Sequence, residues 1–172
     1  MSERKQIALA SQEEIMLCTL TGEALWRIQL VEQALSHAIT LKLNPEETKE
    51  KADVVLKTYQ SYTLGKAIKK ALENGLYEPT LQNDLNDFLV QRNWLIHKIY
   101  SEILEDINSL SKREKLFAEL YQKVKSITNQ AAKIQRSIEE DMIEFCKSKG
   151  RDMSEAIEML KLHDQGIRIF KE

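Results

Sequence analysis

SKREKLFAELYQKVKSITNQAAKIQRSIEEDMIEFCKSKG, residues 111–150, carries two interleaved apolar series that each repeat every seven residues. Phe117, Val124, Ala131, Ile138 and Phe145 form one, and Leu120, Ile127 and Ile134 form the other. Asp141 falls where the second series would continue and is its single break. A seven-residue repeat keeps an apolar stripe on one side of a helix, which suits packing at a shallow angle against another long helix. At the front, Ser111 and Glu114 have the spacing of a reciprocal cap, and Gly150 is a natural stop. The stretch therefore predicts one long helix that requires a long partner.

The natural partner lies near the amino end. From Glu13 to Leu43 apolar residues recur at helical spacing through Leu17, Leu20, Ala24, Ile28, Val31, Leu35 and Ala38, and the pattern stops at Asn44-Pro45. Pro45 suits a first helical turn, so a second helix is expected from Pro45 to about Tyr59. Thr63-Leu64-Gly65 lies in a junction or at a helix start, and Leu64, Ala67, Ile68, Ala71 and Leu72 then make a third, short helix closed by Asn74-Gly75. A fourth follows Glu78-Pro79 and is expected to run to about Ser109. Asp152-Met153-Ser154-Glu155 starts a last short helix reaching about His163. Only five glycines and two prolines interrupt a chain rich in helix-forming residues. The expected class is all-α, an antiparallel bundle of four to five main helices with the heptad-patterned helix as the fifth. A length of 172 residues suits one domain, 1–172, with residues 1–12 and 168–172 expected to fray.

Charge and motifs narrow the functional classes. Charged residues make up 30% of the chain, yet the formal net charge is −2, so any nucleic-acid contact must come from local patches. Cys18 and Cys146 show no disulfide or zinc spacing, which fits a cytoplasmic protein. Arg4 and Lys5 precede only the short apolar run Ile7 to Ala10, unlike a signal peptide, and no run of about 18 apolar residues suggests a membrane span. Phosphate-loop, dinucleotide-binding and hydrolase-elbow motifs do not occur. Glu139, Glu140, Asp141 and Glu144 lack metal-ligand spacing and read as a solvated acidic face; no metal or cofactor is expected. His37 and His163 likewise lack such spacing. Lys66, Lys69 and Lys70, and Lys123, Lys125, Lys133 and Arg136, read as solvated basic surface.

The fourth helix carries the chemistry. On a helical wheel Leu81, Leu85, Phe88, Leu89, Leu95, Ile96, Ile99 and Ile103 cluster on one face, with Arg92 near its middle. A guanidinium there needs either an acidic partner on a neighbouring helix or an open cleft, because an isolated buried charge is costly. Asn93, His97 and Tyr100, at i, i+4 and i+7, form a stripe at the edge of that face. A cationic fork, an amide, an imidazole and a phenol together can bind a phosphodiester and move a proton. They can equally form a structural polar network, and both readings stay open here. Trp26 and Trp94 read as core or interface aromatics; Trp94, on the side away from the apolar centre, is a candidate dimer contact.

The run Gln91-Arg92-Asn93-Trp94-Leu95-Ile96-His97 resembles the Arg-x(4 to 6)-His signature of HEPN domains, in which a polar residue commonly follows the arginine. Phe88-Leu89-Val90 before it and Ile99-Tyr100 after it are similar to the flanks of that motif helix. The resemblance covers chiefly residues 81–107. It implies a metal-independent endoribonuclease, usually dimeric, of the kind found in toxin–antitoxin and phage-defence systems. By position, His97 would assist proton transfer at the attacking 2′-hydroxyl, Arg92 would hold the scissile phosphate, and Asn93 would orient the phosphate or a catalytic group. RNA, a second copy of the chain and an antitoxin are the implied partners. A subgroup carries His-x-Tyr, modified by a nucleotidyltransferase partner; here the run His97-Lys98-Ile99-Tyr100 is one residue longer, leaving Tyr100 a supporting residue. The alternative class is a non-catalytic helical interaction module, in which Arg92 finds an internal acidic partner.

Overall fold

Local capping chemistry sets most helix ends. Ser11 and Glu14 form a reciprocal cap, with the Glu14 amide donating to Ser11 Oγ at 3.3 Å and the Ser11 amide donating to Glu14 Oε2 at 2.6 Å. α1 (Gln12–Leu43) follows directly. Thr48 caps α2 (Lys49–Gln60) and Thr63 caps α3 (Leu64–Glu73), each hydroxyl oxygen accepting from the amide three residues on. α4 (Pro79–His97) places Pro79 in its first turn. α5 (Ile99–Asp106), α6 (Leu110–Ser148) and α7 (Ser154–Asp164) complete the order. α3 and α6 both close with paired reversed bonds around a glycine of positive φ. The Gly75 and Leu76 amides donate to Leu72 and Ala71, and the Gly150 and Arg151 amides donate to Lys147 and Cys146. These are the stops expected at Asn74-Gly75 and Gly150. Ahead of α7 the Ser154 hydroxyl and then its amide donate to Asp152, which holds that carboxyl below its usual range.

The computed structural model describes residues 11–44, 48–106 and 110–165. Pro45, the segments 1–10 and 166–172, and the side chains of Ile103, Ser111 and His163 lie outside what is described. Among the described residues there are seven helices and no strand, which makes the chain all-α. Seven helices stand where four to five main ones and a last short one were expected, because the fourth expected helix is divided in two. It ends at His97 and restarts at Ile99. The second helix begins at Lys49, later than the Pro45 start expected, because Thr48 supplies the cap.

The long pair forms as the heptad predicts. Phe117, Leu120, Val124, Ile127, Ala131, Ile134 and Ile138 of α6 are buried, and so are Leu17, Ala24, Ile28, Val31, Leu35 and Ala38 of α1, the two helices making the largest interface in the fold. Their direction departs from a simple antiparallel bundle. Lys42 in the last turn of α1 meets Asp141 near the end of α6 and lies over the Phe145 ring, so the two helices run parallel. Up to the end of α6, α2 returns along α1, α3 climbs again, α4 descends and α6 climbs, so α1 and α6 point the same way. α4 is antiparallel to α6, since Asp84 pairs with Lys133 at 3.2 Å while Trp94 packs under Lys123. α3 contributes Leu64, Ala67, Ile68 and Ala71 to the core, and α4 contributes Leu85, Phe88 and Leu95. Leu72 and Ile96, expected on apolar faces, are exposed. No helix among the described residues is long and apolar enough to cross a membrane.

Candidate functional site

The lower end of α4 is where the sequence places its chemistry. Arg92 follows Leu85 and Phe88 along the buried face, so its stem enters the core side while its head reaches toward α1. There Nη2 lies 3.5 Å from Glu32 Oε1, with side-chain exposures of 24% and 32%. Nη1 donates to Asn93 Oδ1 at 3.4 Å. Nε is buried and makes no hydrogen bond. The guanidinium is thus held by long contacts at a half-open position. Glu32 is the acidic neighbour required by the position of Arg92; its trace in the sequence was a carboxylate flanking Ile28, Val31 and Leu35 on the first helix.

Asn93 and His97 are one turn apart on α4 and both exposed. His97 closes the helix, a place where the carbonyl end of the dipole favours a cation. Arg92 and His97 are five residues apart, about 140° around the helix. They therefore point in different directions from one chain, and the structure does not bring them together within hydrogen-bond reach. Tyr100 does not continue the Asn93–His97 stripe on one helix, because the ladder is interrupted at Lys98. The Lys98 amide still donates to Trp94 at 2.8 Å, and the next bond links the Glu102 amide to the Lys98 carbonyl at 3.1 Å. The Ser101 hydroxyl donates to that same carbonyl at 2.8 Å. Tyr100 belongs to α5 and is exposed.

Trp94 is half-buried within its own chain. Its Nε1 donates to Glu102 Oε1 at 2.5 Å across the Lys98 break, and Lys123 sits 3.4 Å above the ring. The wheel missed this because α6 approaches α4 from the flank, covering a face opposite the apolar centre. Trp26, by contrast, is exposed. The basic surface groups have local uses: Lys69 pairs with Glu73, Lys133 with Asp84, Arg136 with Glu140, and Lys66 lies over Tyr62. Among the described residues no three His, Cys, Asp or Glu side chains are grouped to hold a metal ion.

A second polar cluster went unread in the sequence. Lys42, with a side chain only 9% exposed, lies 2.5 Å from Asp141, donates to the Leu76 carbonyl at 2.9 Å and sits over the Tyr77 ring. The Tyr77 hydroxyl is buried without a hydrogen-bond partner. Burial, and then the Asp141 charge, push its pKa well above the usual value of a phenol. The only sequence signal was Asp141 itself, as the break in the heptad.

Beside Glu32 opens a groove of about 400 Å³ between α1 and the α2–α3 junction, lined by Gln29, Glu32, Gln33, Ser36, Gln60 and Tyr62. Comparison with family models, with curated proteins and with solved structures finds no match for this chain.

Proposed function

We propose that the chain is a HEPN-like, metal-independent endoribonuclease acting on single-stranded RNA, in the cytoplasm and as a homodimer, with a role in a toxin–antitoxin or phage-defence system. The observation that carries this reading is the exposure of Asn93 and His97 on successive turns of α4, beside a guanidinium held by contacts of 3.4 and 3.5 Å. A cation so loosely engaged can exchange Glu32 for a phosphate oxygen, which accepts from a guanidinium fork just as well. His97 removes the proton from a 2′-hydroxyl, and the freed oxygen attacks the adjacent phosphorus. The bond to the 5′-oxygen breaks, that oxygen takes up a proton, and a 2′,3′-cyclic phosphate and a 5′-hydroxyl remain. Arg92 stabilises the charge that builds on the phosphate, and Asn93 orients it. Because Arg92 and His97 diverge around α4, the reading assigns the full set to two copies of the helix across a dimer.

Cleavage of a labelled single-stranded RNA in the presence of chelator, by wild type and by His97→Ala, tests the proposal. Products ending in a 2′,3′-cyclic phosphate, lost in the variant, are expected. Equal background from both proteins across varied RNAs overturns it. One observation favours the alternative of a non-catalytic interaction module: Arg92 does have an internal acidic partner in Glu32. On that reading the Arg92, Asn93, His97 and Tyr100 set has no chemical role, and the α1–α6 pair is a scaffold for helix-mediated contacts.

A further inference from the structure

The groove beside Glu32 has a composition unlike the rest of the surface. Gln29, Glu32, Gln33 and Ser36 stand at i, i+3, i+4 and i+7 on α1, so one helix presents a stripe of side-chain donors and acceptors. The opposite wall is Gln60 and Tyr62 from the α2–α3 junction. Among the described residues the three glutamine amides make no side-chain hydrogen bond, so their donors and acceptors are free to meet a ligand. Ser36 is already used, donating to the Glu32 and Tyr59 carbonyls. Tyr62 lines the groove as a half-buried ring, with Lys66 3.7 Å from its centroid and Tyr59 packed edge to face with it at 5.3 Å.

From this juxtaposition we infer that the groove is a subsite for one unpaired nucleobase, placed next to Arg92 by their shared neighbour Glu32. The inference rests on the proposed RNA chemistry and deepens it. Single-stranded RNA is read by stacking splayed bases on aromatic rings and hydrogen bonding their edges, and glutamine amides supply donor and acceptor together. A volume of about 400 Å³ is ample for one base, and its walls are polar, as base edges require. The Glu32 carboxylate accepts from an exocyclic amine or a ring N–H, and the glutamine amides meet base carbonyls and amines alike, so the groove takes any of the four bases. A base seated there directs its phosphate toward the Arg92 side of Glu32, the position from which the guanidinium can change partners.

Saturation-transfer NMR with the four ribonucleoside 5′-monophosphates tests this on the full chain. Transfer to the base protons of the nucleotides is expected. The Gln33→Ala, Gln60→Ala double variant, changed only at exposed positions, should weaken binding about tenfold. Absence of transfer from every nucleotide, or equal transfer in wild type and double variant, overturns the inference. RNA cleavage measured on the same proteins separates the two claims. Cleavage without groove binding sinks the subsite alone, and groove binding without cleavage sinks the nuclease alone.

Discussion

Lys42 and Asp141 hold the carboxyl-terminal ends of α1 and α6 together at 2.5 Å, and the acid that does so is the one residue interrupting the apolar seam of α6. The interruption is therefore a registration point. An apolar residue at 141 would leave the seam free to slide by a heptad and would strand the ammonium of Lys42, whose side chain is only 9% exposed.

Asp141→Leu should destabilise the fold by about 2–4 kcal/mol, since the lysine keeps its buried position without a counter-charge. Lys42→Met alone should cost less, because Asp141 is more open to water. The double variant should recover much of the loss, leaving a coupling energy of about 1–3 kcal/mol in a urea-denaturation cycle. Additive effects would show that the pair is not coupled.

His97→Ala removes an exposed side chain and should change stability by no more than about 0.5 kcal/mol. Arg92→Gln loosens a half-exposed 3.5 Å bridge and should cost about 1 kcal/mol or less. If the nuclease reading holds, the same changes lower the cleavage rate by roughly a hundredfold or more. Thermal melts beside the RNA assay check the split. A stability loss above about 2 kcal/mol for His97→Ala would point instead to a structural role.

Tyr77 makes the fold sensitive to alkali. Its folded-state pKa lies above the unfolded value of about 10. Below pH 10 both states hold the proton and the contribution is fully present. Above it the unfolded chain loses the proton first, binds fewer protons than the native state, and stability falls as pH rises. Tyr77→Phe should flatten the decline in stability above about pH 10. At neutral pH it should be close to neutral, because the hydroxyl it removes has no hydrogen-bond partner. An unchanged alkaline slope in the variant would assign that loss to other groups.

Much of the helical framework was legible because its causes are local. The seven-residue seam, the Thr63, Asn74-Gly75 and Gly150 signals and the start near Ser154 depend on neighbours a few residues apart, and each reappears in the structure. The break at Lys98 was not legible, since neither glycine nor proline marks it; in the structure the Trp94 indole reaches across it to Glu102. That break moved Tyr100 out of the stripe with Asn93 and His97. The candidate site was legible in its residue types, and Arg92 was correctly placed on the buried face, but Glu32 is separated from it by 60 positions.

By itself, the sequence determined that the chain is helical, where most helices begin and end, and which stripe each presents. Periodicity states what a helix must bury and is blind to the partner's direction. Only the tertiary structure decided that α1 and α6 run parallel, that Lys42 answers Asp141 and Arg92 answers Glu32, and that Trp94 is covered from the flank. Those contacts join residues far apart in the chain, and their geometry comes from the packing of whole helices, a property no short window of residues contains.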